Sequence, residues 1–253
     1  MRLTIVGCSG SYPGPDSPAS CYLLEAPHEG RTYRILLDLG SGALGALQEF
    51  VDIRGIDAVL LSHLHPDHCL DLCGYYVFRK YHPGGPLPPV PVYGPNGTDA
   101  RMARAYDVPL PPGLSEHFAF RGWDVSSPEK IGPFAVQVTR VDHPVDAYAI
   151  RLEHQGRVLV YSGDTGPSHA LVDLARDADT LLCEASFVEG EYNLPGLHLT
   201  GRQAAEHANA AGVRRMLLTH VPAWHDRRRV LGEAVRAWDG PIEMATKGAT
   251  YDI

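Results

Sequence analysis

The chain has 253 residues, 44% of them hydrophobic, and carries 30 acidic against 22 basic side chains, a formal net charge of −8 with histidine neutral. That length is ample for a sizeable core, and the acidic balance argues against a surface that gathers polyanions, although a cation-binding cleft would be locally positive. No apolar run approaches membrane-spanning length, and Met1 to Gly7 reads directly as a strand with no leader pattern. Five cysteines without paired C-x-x-C spacing fit reduced thiols, so a cytoplasmic protein away from membranes is expected.

Leu3 to Val6 forms the first predicted strand, followed by the Gly/Ser/Pro loop Gly7 to Pro15. That loop either offers backbone N–H groups to a phosphate or is simply a connector, since it matches neither the dinucleotide nor the Walker fingerprint. Cys21 to Ala26 and Tyr33 to Leu37 read as paired strands around the turn Pro27-His28-Glu29-Gly30. Asp38 then either caps the helix predicted from Ala43 to Phe50 or orients a metal-binding residue through a hydrogen bond.

Ile56 to Ser62 is a buried apolar strand running into His63-Leu64-His65-Pro66-Asp67-His68. In extended chain His63 and His65 point the same way and can share one ion. Pro66 forces a turn, and Asp67 and His68 leave the start of the next helix, displaced toward a second ion. Core hydrogen bonding accounts for one such histidine but poorly for the group. The helix continues from Leu70 to Tyr81, with Tyr75, Tyr76, Phe78 and Tyr81 at core spacing and Cys69 and Cys73 as small apolar residues.

Further along, Val90 to Tyr93 is a short strand, a helix reaches Tyr106, and Asp107 to Ser115 is a Pro-rich connector. Phe134 to Val141 alternates as a strand and ends at Asp142-His143. Tyr148 to Leu152 and Arg157 to Tyr161 form a hairpin with His154 in its turn, ending at Ser162-Gly163-Asp164. Helix Ser168 to Arg176, with a solvated His169, precedes the buried strand Thr180 to Glu184. A helix from Thr200 to Ala211 is capped by Thr200 and closed by Gly212. Arg215 to Thr219 is a strand ending at His220. The basic run Arg227 to Arg229 opens the last helix and is either a solvated face or reaches a substrate phosphate. Pro241 to Ala245 and Thr250 to Ile253 are extended. No repeat or linker divides the chain, which reads as one domain over residues 1–253.

His143, Asp164 and His220 share with His63 a place just past the C-terminal end of an apolar strand. Strand ends on one sheet edge converge, so distant stretches can build one site. The inventory becomes five histidines and two aspartates, a donor set suited to two divalent ions; zinc is the default for nitrogen and oxygen donors, with manganese the alternative.

On these residues the sequence resembles the metallo-β-lactamase superfamily over essentially its whole length. Leu37-Asp38-Leu39-Gly40 resembles the first motif, His63 to His68 the H-x-H-x-D-H signature, and His143, Asp164 and His220 the third, fourth and fifth motifs. The resemblance implies an α/β, four-layer αβ/βα sandwich of two mixed sheets flanked by helices. It also implies His63, His65 and His143 on one ion, Asp67, His68 and His220 on the other, Asp164 bridging, and Asp38 behind the ligands. Leu197-His198-Leu199-Thr200 resembles the H-x-T segment of the ribonuclease Z-like phosphodiesterase branch, where that histidine faces the scissile phosphate; an ordinary residue before a helix cap is the alternative. Asp67 and His198 are the expected catalytic residues, Asp67 orienting the nucleophile.

Within that branch no basic Gly/Pro-rich arm of the ribonuclease Z kind is visible, and Val221 to Asp226 departs from its motif after the last histidine. Gly7 to Ser11, Pro15 to Ser20 and Leu61 to His65 resemble the atypical class II-like cyclic-nucleotide phosphodiesterases. That implies a small anionic phosphodiester substrate, cyclic AMP or cyclic GMP, cleaved to the 5′-monophosphate; an endoribonuclease acting on tRNA 3′ ends or other RNA is the competing reading. Ribonuclease Z relatives imply a homodimer by analogy.

Overall fold

The computed structural model describes residues 1–253. Strands are numbered along the chain. The first sheet holds β1 (Arg2–Gly7), β2 (Cys21–His28), β3 (Arg31–Leu37), β4 (Ala58–Leu60), β5 (Val90–Gly94) and β6 (Phe118–Gly122) side by side, with β14 (Thr250–Asp252) on the outer edge of β1. The second holds β7 (Glu129–Ile131), β8 (Phe134–Arg140), β9 (Tyr148–His154), β10 (Arg157–Tyr161), β11 (Thr180–Glu184), β12 (Met216–Thr219) and β13 (Ile242–Met244) in chain order.

Alternation along the strands sorts side chains into layers. Ile35 and Leu37 of β3 meet Ile150, Leu159 and Leu182 between the sheets, whereas Leu36 points outward. Outside the first sheet, α1 (Ala43–Leu47), α3 (Leu72–Lys80) and α4 (Thr98–Tyr106) pack Leu47, Leu72, Tyr75 and Met102 over Leu36, Val59 and Val92. Outside the second, α5 (His169–Leu174), α6 (Gly201–Ala211) and α7 (Arg227–Val235) pack Leu171, Ala205, Ala208 and Val230 over Leu181, Cys183 and Leu218. The result is the expected four-layer αβ/βα sandwich. Each fully buried Leu or Ile contributes about 1.5–3 kcal/mol, and the close-packed central layer fixes how the two sheet edges face each other.

Strand direction decides where the chemistry falls. β3 to β6 are mutually parallel, and β1 runs with them because both β1 and β3 are antiparallel to β2. In the second sheet β10 to β13 are parallel, and β8 runs with them because both β8 and β10 oppose β9. The C-terminal ends of β1, β3 and β4 therefore lie on one edge of their sheet, as do those of β8, β10, β11 and β12.

Several element boundaries differ from the sequence reading. The hairpin turn is only Gln155-Gly156, both at positive φ, so β9 extends through His154, which pairs with Arg157 and places its Nδ1 3.3 Å from the Pro133 carbonyl. The helix after the histidine cluster is broken: α2 (Pro66–Cys69) stops, and α3 begins at Leu72. Tyr75 and Tyr76 are core as expected, whereas Tyr81 is exposed. The edge strands β6 and β7 go beyond that reading; both are short and partly polar. Thr200 and Gly212 delimit α6 as expected, Thr200 with Gln203 forming a reciprocal capping box.

Candidate metal centre

Proline sets the geometry of the local cluster. His65 preceding Pro66 is held extended, with φ −67° and ψ 150°, and Pro66 occupies the first position of α2, so the chain turns there and aims Asp67 and His68 back at the sheet edge. Gly40 allows this approach, since a Cβ there would meet the Asp67 carbonyl at 1.8 Å. Across the gap, His220 leaves β12 in the left-handed region at φ 56°, and Gly10 from the loop after β1 passes so close that a Cβ would lie 2.2 Å from the His220 carbonyl. Such backbone conformations cost of order 1–3 kcal/mol and persist where the surroundings enforce them.

All seven expected ligands converge, in two groups that share Asp164: His63, His65, His143 and Asp164, and Asp67, His68, Asp164 and His220, with donor atoms in each group within 4.8 Å of one another. In the first group His63 Nε2 lies 2.9 Å from His65 Nδ1, which lies 3.3 Å from His143 Nε2. In the second, His220 Nε2 is 3.1 Å from both His68 Nε2 and Asp67 Oδ2. Asp164 Oδ1 is buried without a hydrogen bond, 3.2 Å from His68 Nε2 and 3.4 Å from His220 Nε2.

Each converging imidazole but one is held from behind. His68 Nδ1 donates to Asp38 Oδ2 at 2.7 Å, and His143 Nδ1 donates to the Leu197 carbonyl at 3.0 Å. His63 Nδ1 lies 3.1 Å from Ser62 Oγ, and His220 Nδ1 lies 2.7 Å from Ser186 Oγ. His65 is the exception, turning Nδ1 itself inward. Ring nitrogens fixed with lone pairs facing one another, beside an orphaned carboxylate oxygen, fit divalent cations and leave those lone pairs poorly satisfied without a positive charge.

Electrostatics agree with that fit. Burial pushes His63, His65 and His143 below the usual imidazole range, leaving neutral rings with a lone pair to give. Burial opposes charge on Asp67 and Asp164, yet the neighbouring histidines outweigh it and hold both carboxyls low. His68 also loses by burial, but Asp164, Asp38 and Asp67 push it well above its ordinary value. The three carboxylates around His68 thus favour positive charge at this place.

Of the two readings of Asp38, helix capping fails. The residue caps no helix; α1 is preceded by Gly42 with no side-chain cap. Instead its oxygens accept from Ser62 N, Ser62 Oγ and the Tyr161 hydroxyl, all at 2.7 Å, besides His68. Tyr161 belongs to the second sheet, so this carboxylate joins the two halves behind the metal site.

His198 stands beside the centre, its ring centroid 5.7 Å from that of His143 and 5.5 Å from that of His220. Its Nδ1 donates to Glu184 Oε1 at 2.8 Å. Burial disfavours the imidazolium, but Glu184 and then Asp164 outweigh that and raise its pKa to about 9. Glu184 was not among the expected site residues. It is fully buried at the end of β11 and accepts from Thr165 N, Ser186 N and Leu199 N besides His198. A carboxylate closing an apolar strand, on the same edge as Asp164 and His220, was its one available signal; Tyr161 and Ser186 had none. Of the basic run, Arg227 reaches the Ala245 carbonyl, Arg229 binds Glu191 Oε1 at 2.7 Å, and Arg228 stays exposed, so two of the three serve structure.

Two mixed sheets sandwiched by helices, with a dense histidine–aspartate centre at their common edge, define a metallo-hydrolase of the metallo-β-lactamase fold. Residues 33–221 match the Beta-lactamase superfamily domain, and the chain belongs to that superfamily. It is 45% identical to an uncharacterized protein of Mycobacterium leprae, over 100% of this chain and 89% of that protein. The crystal structure of the metallo-β-lactamase fold protein YhfI from Bacillus subtilis superposes with a TM-score of 0.86 at 26% identity, covering 99% of this chain and 98% of that one. Ribonuclease Z of Myxococcus xanthus is 27% identical over 100% of this chain and 98% of its own length. These neighbours place the chain in the ribonuclease Z-like branch, as the sequence resemblance implied. No helix is long and apolar enough to cross a membrane.

Proposed function

We propose that the protein is a dinuclear metal-dependent phosphodiesterase that hydrolyses 3′,5′-cyclic nucleotides to 5′-monophosphates. The observation that carries this reading is His198, held by a buried carboxylate beside the histidine–aspartate centre, where a leaving oxygen needs a proton. His63, His65, His143 and Asp164 would hold one ion, and Asp67, His68, His220 and the shared Asp164 the other; zinc suits the donor set, and manganese is the alternative. When bound, such a pair of divalent ions supplies Lewis-acid polarisation of a phosphoryl oxygen and a nucleophile from water at neutral pH.

The chain's own groups do the rest. Asp164 fixes the spacing of the two ligand sets, and Asp67 orients the attacking water. Glu184 keeps the Nδ1 proton of His198 engaged, so the other ring nitrogen delivers a proton or hydrogen bond to the departing 3′-oxygen. A net charge of −8 suits a small anion better than a polynucleotide.

A second reading, an endoribonuclease, draws support from the full-length similarity to ribonuclease Z. Metal analysis of the purified protein alongside parallel assays on cyclic AMP, cyclic GMP, a bis-aryl phosphodiester and precursor tRNA separates the two. Cyclic-nucleotide turnover at two ions per chain is expected. Cleavage of precursor tRNA alone, with binding that falls steeply with salt, would transfer the assignment to the second reading.

A further inference from the structure

A cleft of about 490 Å³ opens beside the metal centre, between the chain after β11 and the turn after β12. His198 and Ser186, which stand at the edge of the centre, also line this cleft, so the cleft adjoins the centre. Phe187 packs edge-on against the His198 ring at 5.0 Å. The outer wall is aromatic and wet: Trp224 is 62% exposed and Tyr192 90% exposed, and from outside the cleft Tyr12 supports Trp224, centroids 5.0 Å apart. Solvated indole and phenol rings around a concave space contribute nothing to the core, and their flat apolar faces suit a flat ligand.

Charge narrows the occupant. Glu191 lines the cleft, tied to Arg229 at 2.7 Å and 3.6 Å from His225 Nδ1. A carboxylate there disfavours a second phosphate and can accept from an amino or hydroxyl group. One anionic group on the metal centre and one neutral, flat, donor-bearing group in the cleft together describe a mononucleotide.

We propose that this cleft is the subsite for the nucleobase of the substrate, which stacks on Trp224 while its phosphate lies on the histidine–aspartate centre. The proposal rests on the phosphodiesterase reading for the position of the phosphate. It makes Trp224 a specificity determinant, and it gives the departure of Val221 to Asp226 from the ribonuclease Z pattern a purpose in this chain.

The test compares binding of 5′-AMP and ribose 5-phosphate, which differ only in the base, to metal-loaded protein by calorimetry. Stacking on one aromatic ring gives 5′-AMP an advantage of about tenfold or more in the wild type. In Trp224→Ala that advantage falls to about twofold or less, and Trp224→Phe, which keeps a flat ring, retains most of it. Trp224 is exposed, so these variants leave the core intact. Equal binding of the two ligands by the wild type, or an advantage that survives Trp224→Ala, would overturn the subsite. Failure of the phosphodiesterase reading registers separately, as absence of cyclic-nucleotide and aryl-diester turnover by the wild type.

Discussion

Two histidine–carboxylate pairs flank the centre, and they are built alike. In the first-sheet half, His68 Nδ1 donates to Asp38 at 2.7 Å; in the second-sheet half, His198 Nδ1 donates to Glu184 at 2.8 Å. Each carboxylate is fully buried and accepts from three further groups: Ser62 N, Ser62 Oγ and Tyr161 for Asp38, and Thr165 N, Ser186 N and Leu199 N for Glu184. What differs is what else each histidine meets. His68 Nε2 faces Asp67, Asp164 and His220, the surroundings of a ligand. His198 borders the cleft, with its ring centroid 5.5 Å from that of His220. On the proposed function, the same hydrogen-bonded pair would serve metal binding in one half and acid catalysis in the other.

Substitutions at each pair break that comparison in different ways. The largest effect is expected for His68→Ala, which removes a ligand from inside a group of buried carboxylates: metal analysis should show the loss of one ion per chain, and turnover should fall by about a thousandfold or more. Full activity with a single bound ion would sink the two-ion proposal. Asp38→Asn should weaken metal affinity by about 10- to 100-fold, read by competition with a chelator, with kcat recovering when metal is supplied in excess. Glu184→Gln should do the opposite, leaving metal affinity within a few-fold of wild type while lowering kcat at saturating metal.

The smallest effect is a shift in pH dependence. His198 is raised to about 9, so its imidazolium persists through neutral pH and is lost as pH rises through that value; acid-assisted turnover should fall on the alkaline side. Glu184→Gln removes the main group that raises it, so the alkaline limb of kcat against pH should move to lower pH. An unmoved limb would assign that limb to another group.

The two halves also differed in how far the sequence could be read. His63 to His68 is contiguous, so strand alternation and the turn at Pro66 foretell its geometry from local rules. His143, Asp164 and His220 lie far apart in the chain, and they were found because each follows an apolar strand whose direction sets its edge. Glu184 escaped because its partner His198 is 14 residues away across a loop, and nothing in either segment marks them as a pair. Tyr161 escaped for the same reason: its hydroxyl crosses from one sheet to the other, a contact 123 residues apart in the chain that exists only once the sheets pack. The His154 error was local, a two-residue turn read as a longer one.

The central claim, that His198 acts on substrate while His68 holds metal, is tested most directly by measuring metal content and kcat on the same preparation of His198→Ala. The predicted result is the wild-type two ions per chain with kcat for cyclic AMP reduced by about 10²- to 10⁴-fold. Wild-type kcat, or a loss of activity that tracks a loss of bound metal, would contradict it.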